Sequence, residues 1–246
     1  MTQSDPLSRI RVVLSHPTHP GNIGAAARAL KTMGMAQLCL VRPRRFPDPE
    51  ATALSSNAAD VLERALVCDT LDAALAGTTL AVAVSARPRV LAHPPLDARG
   101  AAADAVAHAR AADVAFVFGN ETVGLSNDEV LKCNRLAFIP AHADCRSLNL
   151  AAAVQVIAYE CRMAALGGLA PVKSAAERAT HAEVEHLFAH LERSLYDSGF
   201  LDPENPRRLM ERLRRLLLRA DLEKEEVNIL RGMLAAWDNP RPRTPK

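Results

Sequence analysis

Short apolar runs rich in β-branched residues alternate with alanine-rich stretches over the first part of this 246-residue chain. The runs occupy residues 10–14, 38–41, 80–84, 114–118 and 136–139. Continuous apolar runs of this length are typical of strands buried on both faces, and the stretches between them have helical periodicity. The alternation predicts an α/β fold, in which a mostly parallel sheet carries helices on both faces.

The alternation stops at a segment with the composition of a linker. Residues 167–171 read Gly-Gly-Leu-Ala-Pro, and only candidate helices follow. We therefore expect an α/β domain over residues 1–166, a linker over 167–175 and a small all-α C-terminal domain over 176–246. In that second domain, we expect Asn205-Pro206 to open one helix and Asp221 to cap the last one.

Two helices of the first domain have sequence signals at their ends. The first is expected to follow Gly21-Asn22 and to stop at Gly34, which suits a left-handed C-terminal cap. The other is expected to begin near Asn149 and to stop before Gly167. At helical spacing, its buried side chains would be Leu150, Val154, Ile157 and Cys161.

Bulk composition excludes several classes of protein. The 30 basic and 28 acidic residues leave a formal charge of +2, which is too small to identify a polyanion as the partner. Five cysteines include no C-x-x-C pair, so we expect no disulfide framework and no cysteine-based zinc site. His16 and His19 could suggest another metal, but no further ligand accompanies them, so we expect none. The sequence has no signal-peptide pattern and no long apolar run, which predicts a cytoplasmic protein without a membrane segment.

In an open parallel sheet, loops at the carboxyl ends of the strands form the ligand sites. The first such loop contains Asn22 and Gly24, and Arg28 and Lys31 follow on one helix face. A guanidinium there can bind a phosphate with two hydrogen bonds. The same residues also fit a plain turn before a solvated helix face, and this loop alone does not decide between the two.

The second loop directly follows the run at 114–118. Gly119 and Gly124 flank Glu121, which predicts a tight bend that holds this carboxylate at the rim of the sheet. Glu121 also fits a simpler role, as an acidic residue just before a helix that begins near Asn127.

The third loop runs from Ile139-Pro140 to Ser147-Leu148-Asn149, where a long helix is expected. Its serine and asparagine fit a helix cap, and the free N–H groups of that helix end equally fit the carboxylate of an amino-acid-like ligand. The chain has no G-x-G and no P-loop motif. A nucleotide would therefore have to bind through other loops.

In this order, the three loops resemble the three motifs of the SPOUT superfamily of methyltransferases. Gly21-Asn22-Ile23-Gly24 with Arg28 is similar to the first motif, residues 118–125 to the second, and Ile139-Pro140 with residues 147–151 to the third. Within this superfamily, the resemblance narrows to the bacterial tRNA 2′-O-methyltransferases. The stretches that narrow it are residues 29–34, 85–89, 154–163, 199–203 and 228–232.

This resemblance implies a deep C-terminal trefoil knot, a homodimer whose subunits share an active site, and S-adenosylmethionine as cofactor. It also implies methylation of the ribose 2′-hydroxyl of cytidine or uridine at position 32 of the tRNA anticodon loop. On the matching positions, the cofactor contacts would be Val84, Ser85, Ala86, Gly119, Ile139, Arg146, Ser147 and Leu148.

The resemblance further implies a catalytic set of Arg28, Ser147, Asn22 and Glu121. In related enzymes the arginine that matches Arg28 is described as the base. Because a guanidinium rarely loses its proton, we expect Arg28 instead to orient the ribose hydroxyl and to stabilise its developing charge. Ser147 is expected to complete the hydrogen-bond network.

Basic side chains supply the candidate RNA contacts. In the first domain they are Lys31, Arg87 and Arg89, with Arg87 equally explained as a surface arginine. In the second domain, Arg212 and Arg215 belong to an arginine stripe at helical spacing, which fits a tRNA contact or a solvated face paired with acidic neighbours. The core-facing stripe of the same helix would consist of Leu209, Leu213, Leu216 and Leu217.

Two rival functions stay open at this point. The three loops do not determine which base is recognised, so a SPOUT enzyme that acts on ribosomal RNA or on another tRNA position fits them as well. A non-catalytic RNA-binding dimer with the same fold is the second rival. Such a protein needs no catalytic set, so the joint presence of the following residues argues against it: Asn22, Arg28, Glu121, Ser147 and Asn149.

Overall fold

The computed structural model describes residues 5–87, 94–167, 177–202, 204 and 207–239. In these residues, seven strands form one parallel sheet with the spatial order β3-β2-β1-β6-β4-β7-β5. The strands are β1 (Ile10–Ser15), β2 (Gln37–Val41), β3 (Leu66–Cys68), β4 (Thr78–Val84), β5 (Leu96–Asp97), β6 (Asp113–Phe118) and β7 (Arg135–Phe138). The predicted α/β fold is confirmed.

Helices cover both faces of this sheet. They are α1 (Pro20–Thr32), α2 (Pro49–Ser55), α3 (Ala59–Glu63), α4 (Leu71–Leu75), α5 (Ala98–Ala109), α6 (Asn127–Leu131) and α7 (Leu150–Leu166). Side chains of a strand alternate between the two faces. In β1, Val12 and Leu14 therefore belong to the core under α1, α5 and α7, whereas Val13 belongs to the core under α4 and α6.

The signals at the helix ends are confirmed with one correction. Gly34 follows α1 with a φ of 79°, the left-handed conformation that glycine adopts without strain. Asn149 caps α7 by accepting a hydrogen bond from the Ala151 N–H at 2.9 Å. The predicted start of α1 is too late, because the helix already begins at Pro20, whose missing N–H costs nothing in a first turn.

Two edge strands have no counterpart in the sequence prediction. β3 has three residues and β5 has two, so neither is long enough to produce a recognisable apolar run. Leu66 and Val67 of β3 are also exposed, since only one neighbouring strand pairs with it. These strands depend on pairing with β2 and β7 rather than on their own pattern.

The chain beyond the sheet is helical in its described part. Its helices are α8 (His181–Asp197), α9 (Leu209–Leu218) and α10 (Lys224–Asp238). They enclose a separate core that includes Leu187, Phe188, Leu218, Val227 and Leu234. The described chain thus has an α/β part and a small all-α part, while most of the predicted linker and the Asn205-Pro206 pair lie outside the described residues.

Two expectations for the helical part were wrong. Asp221 does not cap α10, since Glu223 is the N-cap and forms a capping box with Glu226. The Asp221 carboxylate instead pairs with Arg135 of β7 and, at 3.3 Å, with Arg178. Leu216 is 53% exposed rather than buried, whereas Leu217 of the predicted stripe packs against the core and Leu218, outside the stripe, is buried in it.

The remaining predictions for the fold concern a membrane segment and the trefoil knot. In the described ranges, no helix has the length and apolar character that crossing a membrane requires. The trefoil knot stays a prediction.

Candidate active site

A cleft opens at the carboxyl edge of the sheet, where β4, β6 and β7 end. Its apolar walls come from residues that include Val84, Phe118, Leu125 and Leu150, and polar groups lie among them. All eight predicted cofactor contacts line this cleft: Val84, Ser85, Ala86, Gly119, Ile139, Arg146, Ser147 and Leu148. Segments far apart in the sequence therefore meet here because they follow neighbouring strands.

Glu121 is the centre of a hydrogen-bond network at the rim of this cleft. Its Oε2 accepts hydrogen bonds from the Thr18 N–H at 2.9 Å and from the Thr18 hydroxyl at 2.8 Å. Its Oε1 accepts from the His19 N–H at 3.2 Å and from the Asn22 side-chain amide at 2.9 Å. One carboxylate thus fixes the loop between β1 and α1 against the loop after β6.

A second contact brings the third loop into the same network. The Asn149 side-chain amide donates to the Asn22 Oδ1 at 2.8 Å, while the Asn149 Oδ1 caps α7. Asn149, Asn22 and Glu121 therefore form a continuous hydrogen-bond chain across the three loops. The convergence predicted for these loops is what the structure shows.

These contacts determine the charge of Glu121. Partial burial acts to raise the pKa of its carboxyl group, but hydrogen bonds from Asn22 and Thr18 outweigh burial and lower the pKa from 4.5 to about 2. Glu121 is therefore ionised at neutral pH and occupied by four donors. In this structure, Glu121 holds the surrounding loops in position, and its predicted catalytic role stays a prediction.

Two glycines are required by close packing near the site. A Cβ on Gly119 would overlap the backbone of Gly124 and Leu125, so the bend after β6 closes only with glycine. A Cβ on Gly24 would overlap the backbone of Ala51, so α1 can approach α2 this closely only with glycine there. Both positions belong to the motifs recognised in the sequence.

Arg28 lies on the exposed side of α1. Within the described part of the chain, its guanidinium has no hydrogen bond and no ion pair, so it is available to an external ligand. Ser147 is also exposed, in the loop just before α7. Lys31 differs, since its ammonium group donates to Asp60 at 2.6 Å and to the Asn57 carbonyl at 2.8 Å.

The other predicted RNA contacts lie apart from one another. Arg87 is exposed at the mouth of the cleft, and Arg89 lies outside the described residues. On α9, Arg212 is exposed and Arg215 is half-buried. The structure brings Arg87 to the cleft and leaves the two α9 arginines on the helical domain.

Thr18 is the site residue that sequence reasoning missed. It donates twice to Glu121 and so contributes as much to the network as Asn22 does. The only signal for it in the sequence is its position in the loop before α1, just ahead of the first motif. Among the described residues, no group of histidine, cysteine or carboxylate side chains has a geometry that holds a metal.

Comparisons with known proteins agree with this geometry. A model of the SpoU rRNA Methylase family matches residues 9–159, and a model of the C-terminal domain of tRNA methyltransferase TrmJ matches residues 182–245. The two matches together span both the sheet with its cleft and the helical part. They leave the ends of the chain and residues 160–181 outside.

Individual relatives cover nearly the whole chain. The tRNA (cytidine/uridine/adenosine-2′-O-)-methyltransferase TrmJ of Pseudomonas aeruginosa is 49% identical, and the alignment covers 93% of each chain. The tRNA (cytidine/uridine-2′-O-)-methyltransferase TrmJ of Cronobacter sakazakii is 47% identical over 97% of this chain and 100% of the relative. The crystal structure of TrmJ from Z. mobilis matches with a TM-score of 0.82 and 31% identity, covering 93% of this chain and 99% of that one. This chain therefore belongs to the TrmJ family of SpoU methyltransferases.

Proposed function

We propose that this chain is an S-adenosylmethionine-dependent tRNA methyltransferase that modifies the ribose 2′-hydroxyl of cytidine or uridine at position 32 of the anticodon loop. The observation that carries the proposal is the hydrogen-bond chain of Asn149, Asn22 and Glu121 beside the cleft. It unites the three loops that define the family. The names of the relatives supply the tRNA substrate and the two pyrimidine nucleosides.

The cleft suits S-adenosylmethionine by the chemistry of its lining. Apolar side chains such as Val84, Ile139 and Leu150 suit a nucleoside, and the polar groups of Ser85, Arg146 and Ser147 suit the charged amino-acid end. The predicted cofactor contacts would hold the molecule there. When bound, this cofactor supplies an activated methyl group, so the reaction needs no metal from the protein.

Arg28 is the residue that we assign to the acceptor. A ribose hydroxyl is a very weak acid, so attack requires removal of its proton or stabilisation of the charge that develops on the oxygen. A guanidinium stays protonated at neutral pH, and it therefore orients the hydroxyl and stabilises the developing oxyanion. Ser147 completes the hydrogen bonding at the mouth of the cleft, and Asn22 and Glu121 hold the loop that leads into α1.

We further propose that the protein works as a homodimer. Three large apolar side chains of α7 are exposed: Tyr159, Met163 and Leu166. The first two are four residues apart and the third follows after three more, so all lie on one helix face. Contact with a second copy would remove this face from water. The dimer would act in the cytoplasm, where tRNA is modified.

The decisive experiment combines methyl transfer with nucleoside mapping. The protein is incubated with labelled S-adenosylmethionine and unmodified tRNA transcripts that carry cytidine, uridine or adenosine at position 32, and with ribosomal RNA as a separate substrate. We expect label in 2′-O-methylcytidine and 2′-O-methyluridine at position 32, located by mass spectrometry. Label only in ribosomal RNA or at another tRNA position would overturn the assigned site, and no label in any RNA would overturn the activity.

A further inference from the structure

Two arginines beside the active-site loops have no assigned role. Arg42 and Arg44 follow β2, are exposed, and make no side-chain hydrogen bond or ion pair with any described residue. We propose that Arg42 and Arg44 form a binding edge for RNA phosphates next to the α1 face that carries Arg28. This inference rests on the proposed function, because it concerns how the same RNA is held.

The backbone of this segment is held in an unusual conformation. Arg42 has a φ of 44°, and His16, at the end of the neighbouring β1, has a φ of 52°. The His16 N–H donates to the Val41 carbonyl at 2.8 Å, and the Arg42 N–H donates to the Cys68 carbonyl at 3.0 Å. A left-handed backbone disfavours a residue with a side chain, and such positions cluster at binding sites. Two of them occur side by side at this edge.

The segment is also tied to the active-site network. The Arg44 N–H donates to the Pro17 carbonyl at 3.0 Å, and Thr18, the next residue, donates twice to Glu121. Pro17, which accepts the hydrogen bond from Arg44, and Thr18, which donates to Glu121, are therefore adjacent residues of the chain. A phosphate held by Arg44 would be positioned relative to Arg28 by a continuous set of hydrogen bonds.

Arg45, the next residue of this segment, forms ion pairs, in contrast to Arg42 and Arg44. Arg45 pairs with Asp48 at 3.5 Å and with Glu50 at 3.3 Å, which are the carboxylates of that segment. No described carboxylate forms an ion pair with Arg42 or Arg44. A free guanidinium with five N–H donors matches a phosphate better than any other side chain does.

The surroundings indicate on which side RNA would pass. Arg42 lines a cleft of about 630 Å³ whose lining also includes Lys132 and three carboxylates, those of Asp69, Asp128 and Glu129. Carboxylates repel a phosphate backbone. The carboxylates of this cleft therefore favour a path for the RNA outside it, on the side of Arg44.

The test compares variants in tRNA binding at several salt concentrations. Arg42→Asn removes the guanidinium while accepting the left-handed backbone, and Arg44→Gln removes the second one. Arg9→Gln is the control, since it removes the same charge at the amino end of β1, on the opposite edge of the sheet. Each lost phosphate contact is expected to reduce the slope of log K against log salt by roughly 0.7 to 0.9.

For the Arg42→Asn/Arg44→Gln double variant, we expect a slope reduced by about 1.5 and roughly tenfold weaker binding at moderate salt. Affinity for S-adenosylmethionine should stay unchanged, Arg9→Gln should bind tRNA like the wild type, and Arg42→Lys/Arg44→Lys should recover most of the slope. A double variant with the wild-type slope would overturn this inference alone, because the wild type would still methylate tRNA. A wild type that neither binds nor methylates tRNA would overturn the proposed function and this inference with it.

Discussion

The side-chain amide of Asn149 donates to the Oδ1 of Asn22 at 2.8 Å, although 127 residues separate the two along the chain. Each of these asparagines also makes a second contact, since Asn149 caps α7 and Asn22 donates to Glu121. The orientations of α7 and α1 are therefore coupled directly through the two asparagines, and Glu121 ties Asn22 to the loop after β6. A change at any of the three residues should affect both helices and the cleft between the loops.

Glu121→Gln should reveal this coupling through the pH dependence of stability. The pKa of Glu121 is lowered in the folded state to about 2 from an ordinary value of 4.5, so the ionised carboxylate stabilises the fold above pH 4.5 and loses that contribution as the pH falls toward 2. We expect the variant to be less stable than the wild type at pH 7. The difference in free energy of unfolding, measured with urea, should shrink below pH 4.5. A difference that is constant with pH would contradict the role of the charge.

Arg28→Ala should separate catalysis from cofactor binding. If Arg28 stabilises the developing oxyanion as proposed, its loss is expected to lower kcat by about 10² to 10³ or more. Calorimetry should give wild-type affinity for S-adenosylmethionine, because Arg28 lies on α1 and does not line the cleft. Lys31→Ala, three residues further along α1, is the matched comparison. Methylation by Arg28→Ala at a rate near that of the wild type would refute the assignment.

Much of this arrangement could be predicted from the sequence, because it depends on local patterns. Buried strands such as β1 and β6 need continuous apolar runs, and the tight bend at Gly119 needs glycine, so both leave local signals. The ion pair between Asp221 and Arg135 left no local signal in the sequence, since the two residues are 86 positions apart. The sequence before α10 fits a helix cap equally well. Pairing over such distances is decided by tertiary packing.

The same limit explains what was missed around the site. Lys31 has the spacing of an RNA contact, and only the position of α3 gives it Asp60 as an ion-pair partner. Thr18 has no motif of its own, and its role follows from where Glu121 is placed. The exposure of Leu216 depends on how α9 is rotated against α8, which periodicity alone does not determine.

Asp221→Asn, which removes the charge but still accepts the left-handed backbone at a φ of 52°, should weaken the contact between the two parts of the chain. Its carboxylate is mostly buried and pairs with Arg135 and Arg178. Loss of its charge leaves Arg135 with Asp104 alone, at 3.3 Å, and leaves Arg178 without an ion-pair partner among the described residues. We expect a loss of about 2 kcal/mol in the free energy of unfolding, below the roughly 3–5 kcal/mol of a fully buried pair. Asp60→Ala, which breaks exposed ion pairs with Lys31 and Arg64, is the control and should have little effect. Equal shifts of Tm in the two variants would contradict the role given to Asp221.

Arg212→Gln/Arg215→Gln tests whether the helical part contacts tRNA. If these two arginines of α9 bind phosphates, the slope of log K against log salt should fall by about 1.5, with overall stability unchanged. Arg214→Gln is the contrast within the same helix. Arg214 is held by Glu185 through hydrogen bonds of 2.7 and 2.6 Å and lies 4.4 Å from the ring centre of Phe188, so its loss should lower Tm and leave the slope alone. An unchanged slope in the double variant would mean that the stripe is only a solvated helix face.

Gly119→Ala should damage the cofactor cleft while the rest of the fold survives. A methyl group at this position would overlap the backbone of Gly124 and Leu125, so the bend after β6 must open. Because Gly119 and Leu125 both line the cleft, we expect affinity for S-adenosylmethionine to fall by at least tenfold, as measured by calorimetry. Ala86→Gly changes the same lining without adding any atom and serves as the control, with an expected loss of less than threefold. Far-ultraviolet circular dichroism should show intact secondary structure in both variants, since neither change touches a buried strand. Wild-type cofactor affinity in Gly119→Ala would show that the bend can relax without moving the cleft, and the site would then need to be placed elsewhere at this edge of the sheet.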